Sequence, residues 1–512
     1  MRQSTRVIAN SAVSFVRQAL NMALQVFLLA FILRRVDSEA YGLFLLAVGL
    51  QTLLDLLRNS INKGCLVRVA QCIETGDDLT ISKVTSSAVI FLTVPAGLAL
   101  VVAALAGRPA AHFFGVGAGL QDAMAWMLLL AGVDVLLVLP LAPFTAVVAA
   151  HQRYGLISLA DTGSRFLRAA VIVVLFRVLG AHVVFVMVAT VIGDVVMRAV
   201  LMFCAYRLTP GLRVRVSLCD RAVLWSLLAF GSFLIYGDLA IMAASETSKW
   251  IVGKALSLDH VTFLSVAGYT TVAMGTAVRT MTLVLVPVAS RFKARMNEGV
   301  LQDMLLRGTR YSSLVSMLVL AVVLPSMRPL LGLWLTPGMA WIAPYAVAMG
   351  IVDAISIPGN CAEQILNGVG DSRRPFQANL AWGVVATAVT AVTVCLLGWG
   401  FAGAVIGVSS GKVVAWVLHS AFALRTIPVS RPRFVWQAYA QPLLAAIPAF
   451  AAGALLTYVM ALDSWGKLAA AWAVGLAVYV VCFLPHVTGA EWNMARGAMR
   501  TALSLVRRRE GI

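Results

Sequence analysis

Aspartate and arginine recur inside stretches of this sequence that are otherwise apolar over membrane length, in spacings suited to ion pairs, anion sites or proton carriers. Asp194 and Arg198 stand four apart in "VIGDVVMRAV", within an apolar run from Val183 to Tyr206, and would share one helix face. Asp55 and Arg58 stand three apart in "LLDLLRNSINKG" and can pair. Asp134 precedes Pro140 and Pro143, and Asp353 precedes Pro358. Proline frees a backbone carbonyl and kinks a helix, which is tolerated where a cavity or neighbour satisfies the freed group. Arg279, in "TTVAMGTAVRTMTLVLVP", has no acidic residue within a helical turn. Arg291 follows it by about 18 Å at 1.5 Å per residue. Lys412 is similarly isolated in "GVSSGKVVAWVL", and Arg17 belongs to a polar helix face with Ser14, Gln18, Asn21 and Gln25.

Ionisable groups at bilayer depth cost about 2.5–3.5 kcal/mol each on insertion scales and face a cavity, a partner or a ligand. Arg17, Arg58, Arg279 and Lys412 are therefore candidates for an anion-binding cavity. Asp55, Asp134, Asp194, Arg198, Asp238 and Asp353 are candidates for coupling to a proton or sodium ion, or for contacts between lobes; they could equally balance the arginines. "GVSSGKV" is not a phosphate-binding P-loop, being one residue short between its glycines and holding Val413 where Ser or Thr would meet magnesium. Gly403, Gly407 and Gly411, spaced by four, instead mark a close helix contact. The seven cysteines are scattered without metal or disulfide spacing.

The elements that carry these residues follow from composition. With 61% hydrophobic and 12% charged residues and a mean hydropathy of +0.90, the chain is too apolar for an ordinary soluble domain. About fourteen segments have the roughly 20 apolar residues a spanning helix needs. Their centres lie near residues 23, 51, 95, 136, 167, 194, 234, 276, 321, 353, 387, 413, 449 and 476. The first has no small-residue cleavage site and reads as a helix rather than a signal peptide. The net charge of +18 raises the question of nucleic acid, but most Lys and Arg fall in alternate loops and at the ends, as in Arg213, Arg215, Arg291, Lys293, Arg295, Arg431, Arg433 and Arg507 to Arg509. This is the positive-inside bias with both termini cytoplasmic, and it needs no nucleic-acid partner.

The sequence also repeats. "GDVVMRAVLMFCAYR" from Gly193 aligns without a gap with "GKVVAWVLHSAFALR" from Gly411. The same offset takes Pro140 to Pro358, and one residue more takes Asp134 to Asp353; slightly longer offsets take Ser86 and Ser87 to Ser312 and Ser313, and Tyr41 to Tyr269. The expected fold is an all-α polytopic membrane protein of about fourteen helices. Two parallel six-helix lobes, residues 1–210 and 211–428, are followed by helices 13 and 14 and a basic tail in 429–512. Parallel repeats of this kind suit a transporter with a site between lobes. Lys412 is the repeat mate of Asp194, and the two are expected to meet across the lobes in one conformation and part in another.

"AYGLF" opening the second segment, "LVLVPVASRFKAR" closing the eighth, "LLGLWL", "ILNGVGDSRRP" and "LLGWGFAGAVIG" occur in an order that resembles the multidrug/oligosaccharidyl-lipid/polysaccharide exporter superfamily. The similarity is to its polysaccharide synthesis branch of Wzx-type flippases and covers about residues 5 to 428. Two features depart from that branch: "LLRNSINKG" at the end of the second segment and the count of fourteen helices look like the lipid II flippase family. That family's Arg-Asp pair in helix 1 is only half present, as Arg17 followed by Gln18.

The resemblance implies a flippase that moves an undecaprenyl-diphosphate-linked oligosaccharide to the outer leaflet by alternating access, for O-antigen or exopolysaccharide synthesis. It implies a place in the bacterial cytoplasmic membrane, among membrane lipids, beside the polymerase and export machinery of the same pathway. A diphosphate needs cationic donors in a desolvated cavity, a role the four cationic candidates would fill. The alternatives are a lipid II-type flippase and a cation-coupled drug antiporter. A membrane-embedded glycosyltransferase is disfavoured by the short outer loops. No metal site or resident cofactor is expected.

Overall fold

The computed structural model describes residues 18, 20–282, 285–294, 298–487, 489 and 492, with the side chains of 228–240, 287 and 294 not described. Among the described residues the regular structure is all helical, with no strand. Lipid cannot hydrogen-bond the backbone, so each apolar stretch must satisfy its own amides, and helices do this locally. Among the described residues eleven helical segments are long and apolar enough to cross a membrane. The apolar helix Leu20–Leu33 and the more charged Tyr154–Val178 and Arg221–Ala255 complete the fourteen expected. The protein is a multi-pass membrane protein.

In chain order the helices are α1 Leu20–Leu33, α2 Ser38–Thr75, α3 Asp78–Phe113, α4 Ala118–Ala150, α5 Tyr154–Val178 and α6 Val183–Leu208. They continue as α7 Arg221–Ala255, α8 Leu258–Thr282, α9 Glu298–Trp334, α10 Pro337–Gly368, α11 Arg373–Leu396, α12 Gly400–Thr426, α13 Arg431–Val459 and α14 Trp465–His486. A short amphipathic helix, Leu285–Ala294, follows α8. Both segments in which an aspartate is followed by proline, at Asp134 and Asp353, are broken where the proline withholds its amide. α4 consists of Gln121–Val138 and Ala142–Ala150 on either side of Pro140, and α10 passes through a 3-10 turn at Ile357–Gly359.

The chain divides into two compact units: residues 1–269, 334–345 and 372–417, and residues 270–333, 346–371 and 418–512. These units are drawn differently from the lobes 1–210 and 211–428, because α7 packs along α2 and α11 packs along α7. The first unit has an apolar core in which Ile61, Val69, Ile81, Leu92, Val147 and Leu227 are buried. Its α11 and α12 approach closely at the three spaced glycines: a Cβ on Gly407 would lie 2.2 Å from Thr390 Oγ1, and one on Gly411 2.7 Å from the Trp382 carbonyl. In the second unit α13 and α14 pack on α9, where Trp472 Nε1 donates to Ser326 Oγ at 2.9 Å and Tyr479 donates to the Leu314 carbonyl at 3.1 Å. Leu105, Val178 and Tyr458 expose 72%, 73% and 91% of their surface, as lipid-facing side chains do.

Candidate functional site: a charged cavity among α2, α4, α5 and α6

Four helices of the first unit enclose a cavity of about 280 Å³. Its polar lining is Gln51, Thr52, Asp55 and Arg58 from α2, Asp134 from α4, Arg168 from α5, and Thr190 and Asp194 from α6. The α2 residues recur at three- and four-residue steps and so share a face. Gly193 lets α5 and α6 approach: a Cβ there would meet the Ser164 carbonyl at 3.1 Å and Arg168 Cβ at 3.4 Å. That proximity brings the Arg168 guanidinium to Asp194.

Each charge has a defined neighbour. Asp55 and Arg58 pair at 2.6 Å along α2. Arg168 pairs with Asp194 at 2.8 Å, the two side chains being 29% and 30% exposed. Asp134, only 5% exposed, accepts from Gln51 Nε2 at 2.8 Å through Oδ2, while its Oδ1 has no partner among the described residues. Arg198 lies behind the lining, buried, and donates to Thr145 Oγ1 at 2.9 Å. The Nε atoms of Arg168 and Arg198 are buried without an acceptor among the described residues. Buried donors without acceptors are costly, so these nitrogens are where an added anion or water would be stabilised.

Asp194 therefore neutralises Arg168 rather than Arg198. Its expected inter-lobe partner Lys412 is buried on α12 in the same unit and is not without a partner of its own. Arg279, on α8 in the second unit, is exposed and forms no ion pair among the described residues. Asp353 in the same unit is fully buried just ahead of the α10 break and accepts from Thr271 Oγ1. Thus Asp134 and Asp353 each precede a proline break and each take a donor from a neighbouring helix. Arg17 and the Asp238 side chain lie outside the described residues. Asn21 of the helix 1 polar face reaches Thr162 Oγ1 on α5 at 3.5 Å.

Arg168, Gln51 and Thr145 escape a reading by spacing, because their partners lie on other helices. A pair on α7, buried Glu246 with half-buried Lys249 at 2.8 Å, is visible in the sequence as an acid and base three apart. Among the described residues no cluster of His, Cys, Asp and Glu has metal-ligand geometry.

No family model and no curated protein sequence matches the chain. Solved structures do. A lipid II flippase MurJ in an inward closed conformation superposes with a TM-score of 0.72 at 11% identity, over 92% of this chain and 98% of that one. An inward-facing multidrug resistance MATE family transporter of the MOP superfamily gives 0.68 at 15% identity, over 81% and 98%. A MOP superfamily transporter from Pyrococcus furiosus, whose binding pocket is described as of reverse polarity, gives 0.58 at 14% identity, over 81% and 94%. These neighbours are transporters and a flippase, and the chain has the fold of the MOP superfamily.

Proposed function

We propose that the protein is a flippase for an undecaprenyl-diphosphate-linked oligosaccharide, working by alternating access in the bacterial cytoplasmic membrane with both termini cytoplasmic. The observation that carries this reading is the cavity among α2, α4, α5 and α6 with Arg58 and Arg168 on its wall and Arg198 behind it. Guanidinium groups match phosphate oxygens in pairs and stay charged when desolvated. Asp55 and Asp194 hold two of those cations until a more highly charged anion competes for them. Arg17, Arg279 and Lys412 are the further cations that the sequence offers to the diphosphate, and the lipid tail stays in the bilayer. Asp134, Asp194, Asp238 and Asp353 are the carboxylates available to couple transport to a proton or sodium ion. Cell-surface polysaccharide synthesis is the process served, with the pathway's polymerase and export machinery as partners. MurJ is itself named as a lipid II flippase, which makes lipid II the second substrate of this same chemistry to assay.

The test is a leaflet assay in proteoliposomes with a diphosphate-linked oligosaccharide, comparing the intact protein with Arg58→Gln, Arg168→Gln, Arg279→Ala and Lys412→Ala. Loss of translocation in the two cavity variants with retained folding supports the reading. Full translocation in all four overturns it. Cation-driven efflux of a drug, with no movement of the lipid, would assign the antiporter alternative instead.

A further inference from the structure

Residues 209–220 join α6 to α7 as a strap held against the first turns of α3 by three buried serines. Ser82 Oγ accepts from the Arg213 amide at 2.9 Å. Ser86 Oγ accepts from the Arg215 amide at 3.2 Å and donates to the Arg213 carbonyl at 3.3 Å. Ser87 Oγ accepts from the Asp220 amide at 2.8 Å and donates to the Asp220 carbonyl at 3.4 Å. Leu212, buried, roots the strap in the apolar core. His151 Nε2 meets Thr209 Oγ1 at 2.9 Å at its start.

With the backbone satisfied inward, the side chains turn outward. Arg213 and Arg215 are exposed and form no ion pair among the described residues, and Val216 beside them is 80% exposed. The acids of this region sit at the strap's two ends: Asp78 lies against Gly211, and Asp220 caps α7 by accepting from the Ala222 and Val223 amides. The strap connects helix ends, so it lies at the boundary between bilayer and water. Two guanidinium groups without carboxylates, next to an exposed valine, complement a surface that offers phosphates above hydrocarbon.

We propose that the strap is an interaction surface for anionic phospholipid headgroups, with Arg213 and Arg215 on the phosphates and Val216 at the acyl boundary. The serine clamp makes the arrangement efficient, because a fixed backbone loses little freedom when it meets the membrane. Each basic residue near an anionic surface favours contact by about fivefold, so the pair supplies about thirtyfold.

The exposed Cys219 on the strap reports occupancy. The full chain is placed in nanodiscs of phosphatidylcholine, with or without about one third phosphatidylglycerol, and maleimide labelling of Cys219 is followed by peptide mass mapping. Labelling is expected to be at least about threefold slower in the anionic discs, with the difference removed by Arg213→Gln/Arg215→Gln and by high salt. Both arginines are exposed, so the variant retains the fold, which its thermal midpoint checks. Equal rates in both lipids overturn the proposal. Slowing that survives in the double variant also overturns it, since the surface potential would then be acting on the thiol alone. Protection by inorganic phosphate in neutral discs assigns the site to a soluble anion and overturns it as well.

Discussion

Replacing Arg168 with methionine strips Asp194 of its partner at 2.8 Å while leaving the carboxylate on the cavity wall. One-sided loss of a fully buried pair costs about 3–5 kcal/mol. Here the side chains retain 29% and 30% of their exposure, so water keeps part of its hold on the stranded charge. The expected cost is about 1–2 kcal/mol. Asp194→Asn alone strands the guanidinium and should cost a similar amount. The double variant strands neither, and its destabilisation should fall short of the sum by about 1 kcal/mol. Intrinsic tryptophan fluorescence during denaturation in mild detergent supplies the stabilities, and the same cycle is run for Asp194 with Arg198 and with Lys412. Additivity of the Arg168 cycle within about 0.3–0.5 kcal/mol, alongside coupling in either of the others, would refute the pairing argued here.

Gly407→Val should destabilise the protein by about 1–3 kcal/mol, because even a Cβ would sit 2.6 Å from the Thr390 backbone nitrogen. Gly163→Ala on α5, where nothing lies within 4 Å, should instead stabilise by up to about 1 kcal/mol; thermal midpoints compare the two. The repeat-matched serines should behave oppositely. Ser87→Ala breaks the strap's bonds and should lower the midpoint, whereas Ser313, fully buried with no partner for its Oγ among the described residues, should tolerate alanine or gain from it. His151 is held below its ordinary pKa by burial and then by Arg153, with Asp78 opposing. Its depressed folded value means that the stabilising contribution is present above about 6.5, the unfolded value, and is lost as pH falls through the lower folded one. Hydrogen exchange at the Arg213 and Arg215 amides, corrected for intrinsic rates, should therefore quicken between about pH 7 and pH 5, and in His151→Phe the pH dependence should vanish.

The helices were legible in the sequence because hydropathy over some twenty residues is a one-dimensional signal. The proline breaks and the spaced glycines were legible for a related reason, since each acts on its own backbone or on the helix face at four-residue steps. Asp55 with Arg58 was readable as neighbours on one helix. The partner of Asp194 was not: a base four residues away on α6 was visible, whereas Arg168 sits on α5 and reaches across where Gly193 lets the two helices approach. The donor to Asp134 was hidden in the same way, Gln51 lying on a different helix. The contact units were also beyond the repeat, because sequence similarity records order along the chain whereas packing of α7 on α2 and α11 is set by side-chain fit.

The break in α4 has a mechanical side. Pro140 and Pro143 offer no amide, so the Leu136 carbonyl loses its usual donor, while Ala142 and Phe144 turn back only three residues, to Leu139 and Leu141, at 3.2 and 3.3 Å. The segment bearing Asp134 and the segment ending at Ala150 are thus two levers on a common pivot. Torque applied to the carboxylate's half is absorbed at the pivot instead of being carried down a continuous rod. The end at Ala150, where His151 meets the strap, can then stay seated while the half bearing Asp134 turns.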